Sequence, residues 1–245
     1  MVGTPRLNTF VFALPREHLI VYASSVMESV IAAARRPWHR ITVLRGREAS
    51  PDGVLRAVER EDPAMFFGVG HGSPERFTVE CTELLMEACS PEAGTMAGRV
   101  VHLNSCWTGL RLGPDLIDKG AVAFLGSKFP FFFYIGSPPN SDRASRTAFI
   151  AEYAATAALM LGSTVGEAHR RRLEAYDREI SYWLEGPGKD HPHAQLLARI
   201  LIVNKRYAVM LGDETARPGS RGIPALALAP MAVGMVVGGW ASWRR

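Results

Sequence analysis

Apolar residues along the chain gather into short runs that stop on small polar turns. Residues 8–14, 40–44, 65–70, 99–106 and 121–125 form such runs, rich in Val, Leu and Phe. Apolar runs of this length bounded by Gly, Ser or Asn predict buried strands, and strands without alternation predict a parallel sheet. Helical patterns lie between them. Residues 24–36 predict a helix with Ser25 and Glu28 at capping-box spacing and Arg35-Arg36-Pro37 closing it. Residues 50–60 predict a second, with Pro51 in the first helical position behind Ser50. Such strand–helix alternation predicts right-handed crossovers. Residues 76–85 break it: Phe77-Thr78-Val79 has β character, which predicts a small hairpin or excursion.

Beyond the fourth run the chain turns mostly helical. Residues 109–119 predict a helix that Gly120 ends, and residues 141–161 predict a long Ala-rich one. Thr164 and Glu167 cap a helix reaching Leu184, and Gly186-Pro187-Gly188 separates it from another over residues 193–205. A last short strand is expected over 207–211. The aromatic stretch Lys128-Phe-Pro-Phe-Phe-Phe-Tyr134 is read first as a segment packing on the core. A pocket wall and a membrane-dipping surface are its functional alternatives.

The 245 residues suffice for one large α/β domain, and a hydrophobic content of 47% excludes wholesale disorder. A net charge of +4 with scattered Lys and Arg, and no aromatic-interleaved basic stripe, gives no reason to expect nucleic acid as a partner. Three cysteines make no disulfide framework and no Cys-x-x-Cys pair, so a reducing, cytoplasmic compartment is expected for the folded domain. No signal peptide is read at the N-terminus. Residues 222–243 carry no charge and lie between Arg221 and Arg244-Arg245, with Trp240 and Trp243 near one end. A helix rising about 1.5 Å per residue over that length spans the roughly 30 Å hydrocarbon layer. The organisation expected is a domain over 1–215, a linker over 216–221 and a C-terminal membrane anchor over 222–243. A disordered or core-packing tail is the competing reading, because Pro224 and Pro230 interrupt the span.

Two of the strand-like runs end on reactive side chains. Phe66-Phe67-Gly68-Val69-Gly70 stops at His71-Gly72, and Val100-Val101-His102-Leu103-Asn104-Ser105 stops at Cys106. Sites in open α/β sheets form beyond the carboxyl ends of strands. If the two strands are neighbours, an imidazole and a thiol emerge together, the minimum apparatus for acyl transfer through a thioester. Gly70 and Gly72 would let backbone approach a substrate closely. The plainer readings are a histidine satisfied by a carbonyl and a small buried thiol. His102 is read as core, and Cys81 and Cys89 as structural. The glycine run misses dinucleotide spacing because Ser73 takes the sixth place, no phosphate loop occurs, and His191 and His193 lack partners for a metal. No cofactor is expected.

The segments Phe-Gly-Val-Gly-His-Gly-Ser and Val-Val-His-Leu-Asn-Ser-Cys resemble the two catalytic blocks of the caspase-like cysteine peptidases. That group holds caspases, gingipains, legumains, separases and CHAT domains. The continuation Cys106-Trp-Thr-Gly109, the Gly120-Ala-Val-Ala-Phe-Leu-Gly126-Ser127 stretch and Leu211-Gly-Asp213 are most similar to the gingipain and CHAT branch. It departs from caspases in lacking Gln-Ala-Cys. The resemblance covers about residues 8–215. It implies a three-layer α-β-α sandwich around a mostly parallel sheet, with extra C-terminal helices. It further implies His71 as general base and acid, Cys106 as nucleophile, and the Gly72 and Cys106 N–H groups as oxyanion hole. Gly70, Ser73, Asn104, Ser105 and Trp107 would line the substrate pocket. A dyad suffices in these peptidases, so no third acid is assigned.

The expected activity is thus a cysteine endopeptidase acting on a protein or peptide, tethered through its tail, with legumain-like transamidation as a branch. Glu75, Glu80 or Asp115 would face a basic residue preceding the cleaved bond. Caspase-like enzymes are often latent, which implies an activating protein partner. The alternative from another class is a non-catalytic scaffold. Its contact surfaces would be the aromatic stretch and the basic helix at residues 170–172. A third possibility is a thiol hydrolase acting on a small acyl substrate.

Overall fold

The computed structural model describes residues 8–17, 19–136 and 141–219. The expected tail anchor at residues 222–243 lies outside them. Among the described residues no helix is long and apolar enough to cross a membrane.

The apolar runs form a six-stranded sheet. Strands β1 (Asn8–Leu14), β2 (His39–Arg45), β3 (Met65–Val69), β6 (Val100–Asn104), β7 (Ala123–Ser127) and β8 (Ala208–Gly212) lie in the order β2-β1-β3-β6-β7-β8. All neighbours pair parallel except β7 and β8, which run antiparallel. The order reverses beside β1: the chain goes from β1 outward to β2, then returns to place β3 on the other side. The crevice at the carboxyl ends of β1 and β3 is therefore a topological switch point, where α/β sheets place ligands. Between β3 and β6 the expected excursion is a two-stranded hairpin, β4 (Arg76–Thr78) and β5 (Leu84–Glu87).

Side chains alternate along each strand between two cores. Phe10, Phe12, Phe67, Val100 and Leu125 face α1 (Ile20–Ala34), α4 (Arg143–Met160) and the start of α5 (Val165–Leu184). Val11, Phe66, Val101, Leu103 and Phe124 face α2 (Pro51–Glu61), α3 (Leu112–Asp118) and the hairpin. A third apolar cluster joins α4 and α5 to α6 (Ala194–Tyr207). The result is an α/β fold with a mostly parallel sheet flanked by helices on both faces.

The first helix corrects the sequence reading. It begins at Ile20 rather than residue 24, because Ile20 and Tyr22 bury against the sheet. Ser25 lies inside the helix, and Glu28 pairs with Arg45 at 2.6 Å instead of capping. The two later caps form as expected: Ser50 accepts from the Gly53 N–H, and Thr164 and Glu167 make a reciprocal capping box.

His102 is core, as expected, and it belongs to a buried polar network. Its Nε2 lies 3.1 Å from Glu152 Oε1 and its Nδ1 2.7 Å from Thr156 Oγ1. A carboxylate only accepts, so Nε2 carries the proton and Nδ1 accepts from the threonine hydroxyl. Glu152 also takes Arg172 Nε at 2.9 Å and the Tyr176 hydroxyl at 2.7 Å. Burial opposes the Glu152 charge, but Arg172 beside it and its hydrogen bonds hold the carboxyl down at about 2. Burial first, and the Arg172 charge as well, keep His102 below the ordinary histidine range despite Glu152. Arg172 is only 1% exposed. The expected basic contact surface therefore loses Arg172, its last member, which donates to the Gly126 and Val209 carbonyls and ties α5 to β7 and β8.

Candidate active site

β3 and β6 are adjacent and in register, with Val69 opposite Asn104. Their carboxyl ends deliver His71 and Cys106 to the same sheet edge. The two turns are packed together. A Cβ added at Gly72 would fall 2.3 Å from the Cys106 carbonyl oxygen and 3.1 Å from Ser105 Cβ. At Gly70 it would fall 1.9 Å from the Thr78 carbonyl oxygen. Both glycines thus permit close approach of the chain to itself, where the sequence reading had invoked a substrate.

The imidazole is half exposed, and its Nε2 lies 3.3 Å from Glu17 Oε1. That carboxyl oxygen has no aligned hydrogen bond, so the contact is one of proximity alone. Glu17 follows β1, which borders β3 at the switch point. It sits on a segment fixed by the Ser24 hydroxyl, which donates to the Pro15 carbonyl at 2.7 Å, and by the Arg16 N–H, which donates to Glu80 at 2.8 Å. Sequence reasoning did not single out Glu17. Nothing local marks it, and only the β1–β3 pairing brings it to His71.

Cys106 is partly buried, and its Sγ accepts from the Phe131 N–H at 3.4 Å. Burial pushes the thiol above its ordinary value, and the Phe131 N–H only partly offsets this. The resting sulfur is a thiol. Among the described residues neither the Gly72 N–H nor the Cys106 N–H donates to another group. The turns that carry His71 and Cys106 thus hold two uncommitted backbone donors.

The expected pocket residues divide. Trp107 is exposed and held at φ +57°, a left-handed turn. Asn104 and Ser105 are 5% and 3% exposed and turn inward. Asn104 Oδ1 accepts from Tyr153, and Ser105 pairs with Thr108. Ser73 shapes its own turn, accepting from the Glu75 and Arg76 N–H groups. Gly70 is buried beneath the hairpin. The acids considered for a basic substrate residue are otherwise engaged: Glu75 pairs with Arg111 at 2.9 Å, Asp115 with Lys119 at 2.6 Å, and Glu80 with the Arg16 N–H. Cys81 and Cys89, read as structural, are free and exposed thiols.

The aromatic stretch serves the core and the site together. Phe131 and Phe133 pack on Phe149 at ring distances of 5.7 and 5.0 Å. Phe129 and Phe132 face outward beside the Cys106 turn, whose Trp107 N–H donates to the Phe129 carbonyl at 3.2 Å. Among the described residues no three His, Cys, Asp or Glu side chains gather to hold a metal ion. Comparison with family models and with curated proteins finds no match to this chain.

Proposed function

We propose that the chain is a caspase-like cysteine peptidase using His71 and Cys106, with Glu17 positioning the imidazole. The observation that carries this reading is the packing of Gly72 on the Cys106 carbonyl, which fixes an imidazole and a thiol at one switch-point edge. With Nε2 beside Glu17, Nδ1 is the nitrogen left to exchange a proton with the thiol. Because the resting sulfur is protonated, His71 acts as a general base during attack rather than as one half of a preformed ion pair.

In the acylation step Sγ bonds to the substrate carbonyl carbon while its proton passes to His71. The carbonyl electron pair moves onto oxygen, which takes the Gly72 and Cys106 N–H groups. The carbon–nitrogen bond then breaks, His71 returns the proton to the leaving amine, and a thioester remains. Water, deprotonated by His71, adds to that thioester and expels Sγ, which regains the proton. An amine in place of water gives transamidation. Residues 222–243 would tether the domain to a membrane.

Turnover of a mixed peptide library by the full chain in detergent tests the reading. Cys106→Ala and His71→Ala should each abolish cleavage while circular dichroism stays native, and retained cleavage by either variant sinks it. One observation favours a second reading, a caspase-like scaffold without catalysis: burial holds the thiol in its unreactive form. That reading expects no cleavage by the wild type, and partner binding unchanged in Cys106→Ala.

A further inference from the structure

Exposed rings flank the turn that carries the sulfur, on Trp107 directly after Cys106 and on the stretch whose Phe131 N–H meets Sγ. Trp107, Phe129 and Phe132 are 37%, 36% and 42% exposed, and Leu110 at the next turn is exposed too. Scattered apolar side chains on a surface need no explanation, but contiguous ones beside a reactive group mark a binding surface. Two of them, Phe129 and Phe132, are also anchored. The buried Asn204 amide grips the Phe132 backbone from both sides, accepting its N–H at 3.0 Å and donating to its carbonyl at 2.7 Å. Phe129 stacks on Tyr207 with centroids 4.4 Å apart, and its ring lies 6.2 Å from that of Phe132. The Ser127 hydroxyl fixes the Phe129 carbonyl at 2.8 Å. These two anchored residues offer apolar area with less of the ordering cost that mobile side chains would add on binding.

The charges around this cluster are largely spent. Glu75 pairs with Arg111 and Arg76 with Glu87, while Glu17 lies against the His71 imidazole. Lys128 and Arg206 are the exceptions. Lys128 lies next to Phe129, and the Arg206 guanidinium lies 5.7 Å from the centre of the Tyr207 ring; both are exposed and neither has an opposite charge among the described residues. Two cations at the margin leave the rings themselves as the apolar part of the surface.

Resting on the catalytic reading above, we propose that Trp107, Phe129 and Phe132 receive a bulky apolar side chain on the residue whose carbonyl Cys106 attacks. The Phe131 N–H touches Sγ, so the residue bonded to sulfur in the thioester is the one within reach of the neighbouring rings. The substrate class is therefore a peptide with Phe or Leu before the cleaved bond.

Four peptidyl acyloxymethyl ketones, identical except for Phe, Ala, Arg or Asp at the reacting residue, test this on the full chain. The readout is the rate of Cys106 labelling, resolved from exposed Cys81 and Cys89 by peptide mass mapping. The Phe ketone should label about tenfold or more faster than the Ala ketone, the discrimination a hydrophobic pocket gives. In Phe132→Ala and in Trp107→Ala that ratio should fall toward one. Both side chains are exposed, so their truncation leaves the cores intact. A faster Arg or Asp ketone overturns the proposal, Asp by pointing to Lys128. So does a Phe preference that survives both truncations. If labelling depends on His71 but shows no such preference, the specificity alone fails. If all four ketones label wild type and His71→Ala equally, or none labels Cys106 while iodoacetamide does, the catalytic reading fails and takes the specificity with it.

Discussion

At the scale of single residues, an acid that no motif announces lies against the His71 imidazole. Glu17 touches His71 from across a strand pairing, at 3.3 Å and without an aligned hydrogen bond. Such a group holds an imidazole in orientation and stabilises its charged form during turnover. Removing an orienting carboxylate from a buried triad costs about 10⁴-fold, and the half-exposed imidazole here places the loss nearer tenfold to a hundredfold. Glu17→Gln should therefore lower kcat with little change in KM, and Glu17→Asp should recover part of it. A fall in KM alone, or an unchanged kcat, would remove Glu17 from the mechanism. The placement of His71 and Cys106 at one sheet edge could be read from sequence because each closes an apolar run on a glycine- or serine-bearing turn. Glu17 could not, since only the order β2-β1-β3 places it there.

Whole elements show the same division. The strands were legible because their apolar runs are short and end abruptly, and α2 and α5 because Ser50 and Thr164 cap them. The start of α1 was not legible: Leu19 carries no side-chain cap, and the helix is set by burial of Ile20 and Tyr22 rather than by local hydrogen bonding. Nor was the direction of β8, which depends on how α6 returns the chain to β7. The Glu152–Arg172 pair likewise joins helices that sequence treats separately. Truncating one partner of a buried ion pair leaves the other charge uncompensated, which costs about 3–5 kcal/mol. Glu152→Ala should lower stability by that order in chemical denaturation, and loss below 1 kcal/mol would show that water reaches Arg172 freely.

For the molecule as a whole, buried histidines set its acid tolerance. His39 and His169 are both pushed down to about 4, chiefly by burial, with neighbouring arginines adding to it. His102 is lowered for the same first reason. An unfolded chain takes up these protons near 6.5, whereas the folded one resists until about 4. The penalty is absent above 6.5 and grows as pH falls toward 4, so stability should decline through that window. Urea midpoints measured from pH 7 to pH 4 check this, and a flat profile would mean that these rings are protonated in the fold. Below 4.5 the depressed Glu152 adds to the decline, since its stabilising contribution is lost as pH drops toward 2.

The clamp that Asn204 places on Phe132 has a consequence in time. A growing chain holds both reactive side chains once residue 106 is made, yet the parts that finish the site arrive almost a hundred residues later. Asn204 grips the aromatic stretch, Tyr207 backs Phe129, and the Val209 carbonyl receives Arg172. Domains fold as units as synthesis proceeds. A nascent chain stalled between Cys106 and Asn204 therefore carries its thiol and its imidazole without the anchored rings proposed to hold a substrate beside them. The order of synthesis thus makes this aromatic face one of the last parts of the fold to be completed.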